Sequence, residues 1–158
     1  MQRRHAIALG TGLVIATGLA LPVYGGNRAA VLKVPLKAVN GSGQSGVAIL
    51  TPTKSGSGFT VVVKITRGKP EPGEPAHIHH LTCAQYARIA PHPRRPTAKQ
   101  INDQLATISD GLNDLFRGKS VSSVIAPLAK VTTGHYSINV HQAGDPYTAV
   151  ACGNIPKR

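Results

Sequence analysis

Between Val31 and Thr66 the chain alternates short β-branched runs with glycine-rich breaks, and that rhythm restricts the fold more than any other feature. Phe59-Thr60-Val61-Val62-Val63-Lys64-Ile65-Thr66 is β-branched at almost every position, which suits a pleated, half-buried strand. Before it, Gly46–Thr51 and Val31–Val39 read as two further strands, with Pro35 placing the first at a sheet edge. Asn40-Gly41-Ser42-Gly43 and Lys54-Ser55-Gly56-Ser57-Gly58 turn the chain between them. Arg67 to Pro75 holds three prolines and reads as a loop. Further along, Val121–Ile125 is a strand ended by Pro127, and Tyr136–His141 with Thr148–Cys152 forms an antiparallel pair. The expected fold is all-β: a Greek-key β-sandwich or flattened barrel of about seven or eight antiparallel strands. A loop or short helix interrupts its middle. Ala90–Pro96 must be loop, because three prolines cannot continue a helix or a central strand. After it, residues 98–108 place Ile101, Leu105 and Ile108 on one helical face, with Thr97 as N-cap.

At 158 residues the chain has room for one domain. Met1-Gln2-Arg3-Arg4-His5 is basic, an apolar run extends from Ala6 to Val23, and small residues follow at Gly25 and Gly26. That layout predicts a secretory signal peptide over 1–25 and a domain over 26–158, exported to the periplasm or secreted. An uncleaved membrane anchor is the competing reading of the same run. Arg3-Arg4 suggests a twin-arginine signal, which the residues after it fit poorly. Once the signal is removed, no stable membrane insertion is expected. The 18 Lys and Arg then lose Arg3 and Arg4, leaving 16 against 6 Asp and Glu. A net charge of that sign favours anionic partners. Yet the basic residues are scattered and do not interleave with aromatics, which argues against nucleic-acid binding. The oligomeric state is not legible in the sequence.

The chemistry concentrates in His77-Ile78-His79-His80, with Cys83 three residues on. On a strand, side chains at i and i+2 share a face, so His77 and His79 aim side by side while Ile78 and His80 face away. Two imidazoles so held need only one or two more ligands to close a metal site. His141 ends a second apolar strand, and the other cysteine, Cys152, follows it. His135 would share the His141 face but lies about 20 Å along a regular strand, too far to join the same site. Two cysteines in an exported chain favour a disulfide, although thiolate ligation of a metal is the alternative. The only methionine is Met1, so the exported domain has no thioether for copper(I).

Ala76-His77-Ile78-His79 with Cys83, Asn139-Val140-His141, and Ala151-Cys152-Gly153-Asn154-Ile155 together resemble three motifs of the copper/zinc superoxide dismutase family. The resemblance extends to secreted bacterial dismutase-like and chordin-repeat-like domains, and covers roughly Val31 to Ile155. It implies copper, or zinc in its place, on His77, His79 and His141, and a disulfide between Cys83 and Cys152. Ala90-Pro91-His92-Pro93 is similar to the loop that carries the family's metal-bridging histidine. His92 is thereby a candidate fourth ligand, or a solvated loop histidine, since its spacing from Cys83 is looser than the family's.

Two departures restrict the function that this likeness implies. No tight cluster of further histidines and an aspartate provides the family's zinc site. Between His141 and Cys152 there is no basic residue in the place of the family's superoxide-guiding arginine. The expected function is therefore copper binding, for copper handling or weak superoxide chemistry, with no residue assigned a catalytic role. An active copper-only dismutase, or a metal-free structural domain of the chordin-repeat kind, are the alternatives. A three-histidine zinc hydrolase is disfavoured by the want of a general base beside the motif.

Overall fold

A computed structural model describes residues 30–97, 99–100 and 111–158. The apolar N-terminal run and all of the expected 98–108 helix except Lys99 and Gln100 lie outside the described residues. At the start of that helix Thr97 and Gln100 exchange hydrogen bonds. The Thr97 N–H donates to Gln100 Oε1 at 2.9 Å, and the Gln100 N–H donates to Thr97 Oγ1 at 3.3 Å. Thr97 thus caps the chain where its sequence position predicts.

Eight antiparallel strands form one sheet: β1 (Leu32–Ala38), β2 (Ser45–Pro52), β3 (Phe59–Arg67), β4 (Glu74–His79), β5 (Leu112–Leu115), β6 (Lys119–Val124), β7 (Tyr136–Gln142) and β8 (Asp145–Ile155). Their spatial order is β5-β4-β7-β8-β1-β2-β3-β6. The two end strands, β5 and β6, are consecutive in the chain. A two-residue turn at Arg117-Gly118, both at positive φ, joins them, and Phe116 and Lys119 bond each other across it. Asn113 then reaches Ser122 and the Val121 carbonyl, so the sheet curls into a nearly closed, flattened barrel. Strands β4, β5 and β6 run side by side and β7 returns beside β4, which is the Greek-key connection. The all-β expectation holds, with eight strands among the described residues.

The barrel is filled by the alternation that the sequence shows. Along β1, Leu32, Val34 and Leu36 are buried while Lys33, Pro35 and Lys37 are exposed. From β3 and β7 come Phe59, Val61, Val63, Ile138 and Val140. The edge position expected for β1 is corrected: it lies between β2 and β8. Proline is tolerated there because β8 pairs only with Lys37 and Ala38, beyond Pro35. Pro75, expected in a loop, lies within β4, where pairing to β5 steps irregularly from Glu74 to Ala76. Such an irregularity is where a strand accommodates proline.

Strand β7 breaks the alternation of exposure. Its inward Ile138 and Val140 are in the core, but its outward Ser137, Asn139 and His141 are also fully buried. Something must cover that polar outer face. The cover includes a helix, α1 (Cys83–Ile89), which the strand pattern of the sequence does not announce. Thr82 caps it, receiving the Gln85 N–H while the Gln85 side chain takes the Thr82 N–H. Cys83, its first residue, is bonded to Cys152 on β8 across 69 residues of chain. Closing so long a loop restricts the unfolded chain by about 4 kcal/mol in the chain-entropy account. The disulfide also fixes α1 against the outer face of β7 and β8.

Candidate metal centre

His77 and His79 project from the outer face of β4, and Ile78 between them enters the core. Their neighbour is β7, paired so that His77 faces Asn139 and His79 faces Ser137. By register alone His141 lies four residues from Ser137, yet its Nε2 comes within 3.4 Å of His79 Nε2. A local irregularity accounts for this reach. The β7–β8 register shifts on both sides of His141, and such bulges re-aim a side chain. Ring centroids of His77 and His141 are 4.9 Å apart, and those of His77 and His79 5.5 Å. One ring nitrogen from each of the three lies within 4.8 Å of the other two. Among the described residues this is the one group of three or more such side chains drawn together in this way.

The geometry suits a metal ion. Two imidazoles sharing a metal at bond lengths near 2.0 Å hold their nitrogens roughly 3–4 Å apart, depending on the angle. The His79–His141 separation already lies in that range, and the widest spacing requires only a small inward tilt. Further support comes from a buried ring nitrogen: Nδ1 of His77 has no hydrogen-bond partner. Leaving a buried polar atom unpaired is costly, and a ligand on the cluster is one way to offset it.

The electrostatics prepare the same chemistry. His141 is wholly buried, and its pKa is held well below the ordinary imidazole value, first by burial and then by the adjacent His77 and His79. His77 is half-buried and is also lowered, chiefly by burial, with Asp114 on β5 pulling the other way. A lowered pKa keeps the imidazole neutral, which is the form that binds metal.

Tyr86 completes the pocket from above. It is buried one turn into α1, with its ring centroid 4.9 Å from His79 and 5.7 Å from His141. Its hydroxyl donates to the Tyr147 carbonyl at 2.9 Å. Burial, with Asp145 and Tyr147 nearby, pushes the phenol well above the ordinary tyrosine value, so it stays protonated and keeps that bond. Gly111 closes the His77 side at φ +107°; a Cβ there would meet His77 Cδ2 at 3.2 Å. Neither residue stands out in the sequence. The Thr82-x-x-Gln85 pattern, a capping-box signature, is the signal that points to the helix and with it to Tyr86.

The other histidines among the described residues stand apart from the trio. His80 is exposed and stacks on Tyr136 with centroids 4.5 Å apart. His135 is exposed. His92 is exposed in the loop after α1, its Nδ1 3.5 Å from Thr148 Oγ1, and it is not gathered with the three. Arg95, from the same loop, approaches Asp145 at 3.9 Å, so that loop brings a basic side chain to the segment between His141 and Cys152. Both cysteines are in the disulfide, which leaves no thiol for a metal. No protein-family model matches the chain, and no curated protein matches it.

Proposed function

We propose that this chain is an exported copper-binding protein that holds one copper ion on His77, His79 and His141. The observation that carries the reading is the convergence of three imidazoles from two strands, with His141 kept neutral by burial. An all-imidazole set suits Cu(II), tolerates Zn(II), and favours copper on intrinsic affinity. The Cys83–Cys152 disulfide supports an oxidising compartment, the periplasm or beyond. No helix among the described residues is long and apolar enough to cross a membrane.

Copper, when bound, would supply one-electron redox chemistry. The protein's own residues hold its ligands: β4 fixes His77 and His79 side by side, the bulge aims His141, and Tyr86 excludes water from one side. Half-buried His77 marks the side from which a small molecule can approach. Attraction of an anion is weak there, because Arg95 is mostly exposed and set against Asp145. Copper handling without efficient superoxide turnover is therefore the preferred role. Metal analysis of the protein purified from the periplasm of cells that export it tests this directly. One copper per chain is expected. Metal-free protein that also rejects added copper would favour the structural, chordin-repeat-like reading. A dismutase rate near the diffusional ceiling of about 10⁸–10⁹ M⁻¹s⁻¹ would overturn the preference for handling over catalysis.

A further inference from the structure

A second site lies away from the histidines, in a cleft of about 260 Å³ lined by Gln44, Lys69, Glu71, Glu74, His92 and Gln142 among others. Glu71 and Glu74 are the only glutamates in the chain, in a protein with 18 Lys and Arg against 6 acidic residues. Bringing both to one cleft creates an acidic spot on a basic molecule.

Among the buried side-chain atoms of the cleft, the missing hydrogen bonds are all on acceptors. The Gln44 amide nitrogen donates to Glu74 Oε1 at 2.6 Å and to the Lys69 carbonyl at 3.4 Å, which fixes which end of the amide is which. Glu74 Oε1 takes a second donor, the Glu71 N–H, at 3.1 Å. Gln44 Oε1 and Glu74 Oε2 then have no partner, although Gln44 is 5% and Glu74 1% exposed. Both unpaired atoms are acceptors. Their missing partner must be a hydrogen-bond donor, and beside two carboxyl groups a positively charged donor is favoured.

Size and composition narrow the class. The volume exceeds the roughly 30 Å³ share of one water several-fold, so the cleft has room for a compact organic group. Glu71, Glu74 and His92 are not drawn together as a metal-ligand group. We infer that this cleft binds the ammonium or guanidinium head of an organic cation, with Gln44 Oε1 and Glu74 Oε2 as the receiving atoms and Glu71 as the outer charge. The site is independent of the copper reading and uses none of His77, His79 and His141.

The test is an NMR titration of the isotope-labelled exported domain with methylguanidinium chloride and with propylammonium chloride, each matched by sodium chloride at equal ionic strength. Saturable shifts of the Gln44 side-chain amide and the Glu74 backbone amide are expected with the organic cations and not with sodium. Glu74→Gln should weaken binding at least tenfold, Glu71→Gln about threefold, and Lys69→Met should strengthen it, while copper stoichiometry stays unchanged in all three. If Glu74→Gln does not fold, the two rim variants carry the test. Acetyl-arginine amide binding within threefold of methylguanidinium identifies a peptide side chain as an admissible source. Its exclusion restricts the site to free small cations. Equal shifts with sodium chloride, tighter binding of calcium than of either organic cation, or indifference to Glu71→Gln and Lys69→Met would overturn the assignment.

Discussion

The outward face of β4 carries His77 and His79 against His141, whereas its inward side carries Glu74 at the cleft beside Gln44. The first region gathers neutral nitrogen donors under a helical roof; the second gathers oxygen acceptors that lack a donor. Strand alternation keeps these chemistries on opposite sides of one backbone, a few residues apart. They also differ in how they are assembled. The histidine face depends on a bulge, a disulfide and α1, all needed to bury a polar surface outside the barrel. The cleft combines loop residues, Gln44 after β1 and Glu71 before β4, with Glu74, Gln142, Thr148 and Val150 on β4, β7 and β8. The metal face should therefore be more sensitive than the cleft to anything that loosens the roof.

The largest separation between the two regions is expected from ligand removal. Replacing His77, His79 or His141 singly by Ala should weaken Cu(II) binding by about a hundredfold or more, measured by competition titration, because no two of the three close a stable site. Binding of organic cations to the cleft should be unaffected. In the same assay His80→Ala and His135→Ala should change copper affinity by less than about threefold, and His92→Ala distinguishes a loop residue from a fourth ligand.

Next in size is the disulfide. Substituting both cysteines by serine should lower stability to denaturant by about 4 kcal/mol, the loop-closure value. It should weaken copper binding through the loosened roof more than it weakens binding at the cleft. Equal losses at both regions would mean that the disulfide supports the barrel as a whole.

Much of this architecture is readable from the residues. The strands β1, β2, β3, β6 and β7 follow from alternation and β-branching, and the adjacency of His77 and His79 follows from the period of two. What sequence could not supply was reach. His141 comes to His79 through a register shift that depends on β8, and α1 is only seven residues long, too short for periodicity to announce. Short β5, Leu-Asn-Asp-Leu, has no alternating pattern to mark it. The burial of Ser137, Asn139 and His141 likewise reads as a solvent-facing polar stripe until the roof is known.

A smaller effect should come from Gly111. Its positive φ and nearness to the His77 ring mean that Gly111→Ala is strained and crowds one ligand, with an expected stability loss of about 1–2 kcal/mol. Copper affinity should fall by several-fold, and the cleft should not respond.

The smallest effect concerns pH. His141 and His77 have native pKa values below 6.5, so the unfolded chain takes up protons first as pH falls. Where the unfolded state binds more protons, stability rises with pH. Thermal stability of the metal-free protein should therefore decline from about pH 6.5 downward and level off below the native values. His141→Gln should flatten that profile. An unchanged profile would mean that His141 is not held neutral by the fold.

The most direct measurement is an EPR titration of the metal-free exported domain with Cu(II), carried out beside the His77→Ala/His79→Ala/His141→Ala triple variant. The expected result is one equivalent of tightly bound copper with hyperfine splitting from three nitrogens, absent in the variant. Copper that remains loosely bound, or a spectrum that the triple variant reproduces, would contradict the three-histidine site.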